Sequence, residues 1–190
     1  MNKMKKVFKV AIYELKLMCF SSKFLILSVL AFIIMDVTVR GYRMFSHDYN
    51  LPIAPAVLPF YFADVSYGNI EILFLLLWFS DVPMKQRVQN QILQRCGMPC
   101  FALGHLFSIV FATIVFVLEQ FVFSVLLCGT NLTFTSWGKV WGSAAAGTVK
   151  KLGYSSGFVI SKNVFQNYTV PQALLFSMTI FLLMGICYGM

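Results

Sequence analysis

Charge is what this chain has least of. Only 12% of its 190 residues are Asp, Glu, Lys or Arg, against about a quarter in soluble globular domains. That shortage argues against an ordinary water-soluble enzyme. Disorder is excluded as well, because it needs low hydrophobicity and high charge, and 59% of this chain is apolar. The phosphate-loop pattern G-x-x-x-x-G-K-[ST] is absent, so any ATP hydrolysis belongs to a partner. H-E-x-x-H is also missing, and with it the mark of a zinc protease. The five scattered cysteines (Cys19, Cys96, Cys100, Cys128 and Cys187) are an odd set that makes no disulfide framework. Cys96, Cys100 and His105 alone have ligand-like spacing, and a closed zinc site needs four ligands. Neither catalysis nor a metal or other cofactor is expected.

What the chain does have is long apolar runs bracketed by basic residues, with a net charge of +8 and mean hydropathy of +0.78. Lys3, Lys5, Lys6, Lys9, Lys16 and Lys23 precede the first run; Lys85, Arg87 and Arg95 share one polar segment. No basic stripe is interleaved with a stacking platform, so nucleic acid is not an expected partner. In residues 1–23, Val7, Val10, Ala11, Glu14, Leu15 and Met18 recur at helical spacing among the lysines. This is the pattern of an amphipathic helix lying on a lipid surface.

Four spans are expected, at about 20–39, 59–79, 101–127 and 170–188, from the length a helix needs to cross hydrocarbon. Residues 40–58, with Pro52 and Pro55, read as a loop. The second span reaches crossing length only if it starts near Pro59, which places Asp64 and Glu71 inside it. Seven residues apart, the two carboxylates would nearly share a helix face. Residues 80–100 are polar and hold a short amphipathic helix, Met84–Gln94, closed by Gly97 and Pro99. Residues 128–169 read as an outer polar segment. The expected architecture is therefore an all-α, polytopic helical membrane domain. Nine basic residues fall on the amino-terminal side and six on the other, which places the amino terminus in the cytoplasm.

This order of elements, with Phe79-Ser80-Asp81-Val82-Pro83, Arg95-Cys96-Gly97 and Leu103-Gly104-His105, resembles the permease subunits of bacterial ABC exporters of the second type. The resemblance is to the small antibiotic- and bacteriocin-associated branch. Two departures stand out. Members of that family usually carry six spans, which makes this chain a shortened member or a fragment of a longer permease. The family's Gly-Gln at the head of the third span reads Gly104-His105 here. The resemblance implies a bacterial inner-membrane protein that pairs with a second permease copy or a related permease. A separate ATPase subunit would be contacted through Asp81, Lys85, Arg87 and Arg95, and an amphipathic or peptide-like compound would be exported. The alternative from another class is a non-transporting immunity or accessory protein that binds a partner.

Ionisable residues within spans are costly and suggest function by default. Asp64, Glu71 and Glu119 are therefore the candidate pathway residues. Asp64 lies near enough to a span end to be wet, Glu71 stands between a pathway role and a structural ion pair, and a structural partner is the simpler reading for Glu119. Asp36 is expected at the interface.

Overall fold

A computed structural model of the chain describes residues 3–80, 87–129, 131–154, 157–158 and 160–189, with the side chains of residues 87–90 left aside. Its helices are α1 (Lys3–Cys19), α2 (Ser22–Asp48), α3 (Leu58–Ala63), α4 (Val65–Phe79), α5 (Arg87–Cys96), α6 (Met98–Cys128), α7 (Gly138–Ala145), α8 (Thr148–Lys151), α9 (Lys162–Asn167) and α10 (Val170–Gly189). Among the described residues there is no strand, only an isolated parallel bridge between Ile53 and Leu132. The protein is an all-α membrane protein. Helices α2, α6 and α10, of 27, 31 and 20 residues, are long and apolar enough to cross a bilayer. At 1.5 Å per residue they reach about 40, 46 and 30 Å.

Several expectations change. The first span does not stop at Val39; α2 runs on to Asp48, through residues expected to form a loop. Arg40 and Arg43 both reach back along the helix to Asp36, at 2.7 and 3.2 Å. Tyr42, Phe45 and Ser46 are buried in the same turns. The second span is broken. Asp64 has an extended backbone (φ −100, ψ 118) that ends α3, and its carboxylate accepts the Ser66 N–H at 3.0 Å, capping α4. Alone, α4 covers only about 22 Å. The short helix of the polar segment ends at Cys96, where Gly97 takes φ +80 and its N–H bonds Leu93 O at 2.9 Å, a left-handed stop. Its expected start falls at Met84, outside the described residues.

The chain divides into two compact units, and α2, α4, α6 and α10 contribute residues to both. The first contains residues 1–28, 72–116 and 181–190. In it the amphipathic lead is a docked helix: Val7, Val10, Ala11 and Met18 are buried, while Met4, Phe8 and Ile12 form an exposed apolar flank. A Cβ on Gly104 would stand 2.8 Å from the Val10 side chain, so α1 lies close against α6. Helix α10 approaches α6 more closely still. A Cβ on Gly185 would fall 2.2 Å from Thr113 Oγ1, and one on Gly189 2.5 Å from Ile109 Cγ2. This is the small-residue packing that membrane helices use in place of a hydrophobic driving force. Phe116 closes the contact, with its ring edge-on to Phe181 at 5.9 Å and tilted on Trp78 at 5.5 Å.

The second unit contains residues 29–71 and 117–180. The segment expected to be an outer polar loop supplies much of its core: Trp141 is 0% exposed, and Val140, Val149 and Phe158 are buried with it. Trp141 Nε1 donates to Ala54 O at 2.8 Å, and Trp137 Nε1 to Tyr168 O at 2.7 Å. Gly138, at φ +74, brings the chain so near Pro52 that a Cβ would sit 2.3 Å from its carbonyl oxygen. Thr169 and Gln172 start α10, the Gln172 amide oxygen accepting the Thr169 N–H at 3.1 Å. At the surface, Tyr154 donates to Asp48 at 2.7 Å, and that bond pushes its phenol up to about 12.

Two outcomes follow from this packing. Gly185→Ala should cost about 1–3 kcal/mol through overpacking, lowering the thermal midpoint in detergent, and adding Thr113→Ala should recover much of the loss; an unchanged midpoint would refute the close α6–α10 approach. A raised phenol pKa means that the Tyr154–Asp48 bond is intact at neutral pH and is lost as pH rises through about 12. Asp48→Asn should therefore bring one phenolate transition down toward the ordinary tyrosine range, read by ultraviolet absorbance.

Candidate functional site

Glu71 is the one buried carboxylate among the described residues of the second unit. It lies on α4, is 3% exposed, and its Oε2 has no hydrogen-bond partner among the described residues. Tyr61 of α3 is within electrostatic reach of Glu71, of Tyr67 on α4 and of Cys128 at the end of α6. The rings of Tyr61 and Tyr67 stack at 5.2 Å and 16°.

Where the two phenol protons go determines what Glu71 can do. Thr38 Oγ1 donates to Met35 O at 2.9 Å, the back-bond of a threonine within a helix. Its hydroxyl is therefore the acceptor in the bond with Tyr61 Oη. Tyr67 Oη donates to Gly157 O at 2.7 Å. A Cβ on Gly157 would lie 2.4 Å from Thr38 Cα, so this close pass needs a glycine. Both phenol protons are committed to other oxygens, and neither satisfies Glu71. Oε2 thus has room for an outside proton or cation among the described residues, and a bare buried charge costs several kcal/mol.

The other candidates separate from it. Asp64 is a half-buried helix cap and does not continue the Glu71 face. Glu119 is half-buried, and the fully buried polar position beside it is Gln120, at 0% exposure, whose amide oxygen and nitrogen have no partner among the described residues. Asp81 and Lys85 lie outside the described residues. Arg87 opens α5, its side chain not described. Arg95 is exposed in the last turn of α5, and its carbonyl accepts Lys6 Nζ at 3.3 Å.

One constellation escaped the sequence reading. In the first unit Glu14 Oε2 lies 2.9 Å from His105 Nδ1 and 2.8 Å from Ser108 Oγ. The serine hydroxyl meets the carboxylate and not the imidazole, so the trio joins α1 to α6 and does not form an activated nucleophile. The partners stand 91 and 94 residues apart, beyond any local pattern. The signal that was visible is an acid among the apolar positions of a lysine-rich helix.

No protein-family model, curated protein or solved structure matches the chain. Its function is therefore read from this geometry.

A buried carboxylate with one oxygen unbonded lowers the stability of its host, a cost that is kept where function needs it. Glu71→Leu should raise the thermal midpoint in detergent by the equivalent of about 1–3 kcal/mol, the cost of an unsatisfied buried polar group. A clear fall would show that the carboxylate holds the fold together through a bond of its own.

Proposed function

We propose that the protein is a membrane-spanning permease subunit of an ATP-driven exporter. In this reading it resides in a bacterial cytoplasmic membrane with its amino terminus inside. The observation that carries the reading is Glu71, a carboxylate 3% exposed and lacking a partner on Oε2. Intramembrane acids kept in that state mark pathways for protons or cationic groups. The cargo that suits it is an amphipathic or peptide-like compound with a cationic group, accepted at Glu71 and released as the subunit changes conformation. Helices α3 and α4, with 22 residues from Leu58 to Phe79, form a fourth crossing in two pieces. Broken helices are tolerated at membrane depth where protein surrounds the freed backbone.

ATP hydrolysis would come from a separate subunit, since the chain has no phosphate loop. Helix α5 lies between α4 and α6 and is tied to α1 through Lys6 and Arg95, a suitable site for that subunit to engage. A second permease copy, or a related chain, would complete the pathway. The alternative, a non-transporting immunity or accessory protein, draws support from there being three helices of full crossing length among the described residues, where exporters of this type usually have six.

Purification of the tagged protein in mild detergent should recover an ATPase subunit in stoichiometric amount. Replacing Lys85, Arg87 and Arg95 together by Glu should abolish that recovery while membrane insertion persists. Recovery of the chain without an ATPase would favour the accessory reading, and inverted insertion of the triple variant would show that the three charges only set topology.

A further inference from the structure

Where α9 gives way to α10 the second unit carries two adjoining cavities, the larger one with more polar groups in its lining. The upper one, about 660 Å³, is floored by Trp137 and Phe165 and rimmed by Ser136, Lys139, Asn167 and Thr169. The lower one, about 200 Å³, is a mainly apolar furrow among Pro59, Phe62, Ala63, Phe176 and Ile180. Tyr168 lines both. Its ring stacks on Phe176 at 6.1 Å and 19°, and its carbonyl is held by the Trp137 indole N–H. The join is therefore fixed from both sides.

The order of these surfaces follows α10. The larger cavity is lined by Thr169 and Val170, where the helix begins, and the furrow follows its first turns through Ala173, Phe176 and Ile180. Because α10 is long and apolar enough to cross a membrane, its first residues lie at headgroup depth and the next turns at acyl depth. An aromatic side chain with a polar end, such as Tyr168, is the residue type favoured at that boundary. Charge points the same way. Lys139 is the one charged side chain lining either cavity among the described residues, and no carboxylate lines them. The upper cavity is also within the size range of ordinary small-molecule sites.

We propose that these cavities bind one membrane phospholipid with an anionic headgroup. Its phosphate sits at Lys139 among the hydroxyl and amide groups of Ser136, Asn167 and Thr169, and one acyl chain lies in the furrow beside α10. Cargo of the proposed export pathway is not the occupant, since the site faces lipid at the start of α10 and does not include Glu71. The inference rests on the membrane fold alone and survives if the exporter reading fails.

Native mass spectrometry of the whole chain, released from detergent micelles doped with phosphatidylglycerol or phosphatidylethanolamine of the same acyl chains, tests it. The parent should retain one phosphatidylglycerol per chain in preference to phosphatidylethanolamine by about fivefold, the effect expected of one lysine at an anionic headgroup. Lys139→Gln should remove that preference without altering elution or thermal midpoint, and Lys139→Arg should keep it. Ala63→Trp, at an exposed position on the furrow rim, should reduce retention of both lipids. Equal retention of the two headgroups by the parent, or an unchanged preference in Lys139→Gln, would overturn the proposal. Retention of dodecyl phosphate without any phospholipid would also overturn it and assign the site to a soluble amphiphile.

Discussion

Irregular backbone in a chain this apolar has to find hydrogen-bond partners inside the protein, and the second unit is organised around meeting that need. Carbonyls at Ala54, Gly157, Phe158 and Tyr168 lie outside regular helix hydrogen bonding. Each is met by an aromatic side chain with a polar tip: Trp141, Tyr67, Tyr42 and Trp137. Such residues bury a large ring while placing one donor where it is needed. The same rings then pack on one another, with Phe60 5.0 Å from Trp141 and Tyr42 5.1 Å from Trp141. Satisfying the backbone and building the core are here one act, and it explains why residues 128–169 fold inward despite their polar composition.

Two carboxylates show how surroundings separate structure from candidate function. Glu14 sits with an imidazole and a hydroxyl on the same oxygen, and its role is complete within the fold. Glu71 is more deeply buried, yet the tyrosines nearby direct their protons to Thr38 and Gly157. A residue so placed lowers stability without a compensating bond, which is the pattern expected where function outweighs stability. The join at Tyr168 is a third environment, with a single lysine and a ring that lines two cavities.

Helix packing depends on absent side chains as much as on present ones. Gly104, Gly185 and Gly189 let α1 and α10 approach α6 to distances that a methyl group would block. Between Gly185 and Gly189 the residues are apolar, the setting in which a G-x-x-x-G pattern brings helices together. Another such spacing, Gly138 and Gly142, encloses Lys139 and Trp141 and lies in a short helix whose first glycine serves a turn at φ +74.

Hydropathy and span length were enough to establish an all-helical membrane protein, the apolar α2, α6 and α10, and the amphipathic character of α1, because lipid imposes length and composition on each helix separately. Glu71 as a candidate was legible for the same reason: an acid in an apolar run is conspicuous wherever it ends up. What composition alone did not reveal was set by contacts between distant residues. The continuation of α2 past Val39 depends on packing of Tyr42 and Phe45, the break at Asp64 on a capping bond that competes with the helix, and the Glu14–His105 pair on a close approach across Gly104. The inward fold of the described residues of 128–169 depends on hydrogen-bond partners more than seventy residues earlier in the chain, Ala54 for Trp141 and Tyr42 for Phe158. Only the tertiary structure could decide these, since each is a choice between local preference and a hydrogen bond or a packing surface that exists after the helices have come together.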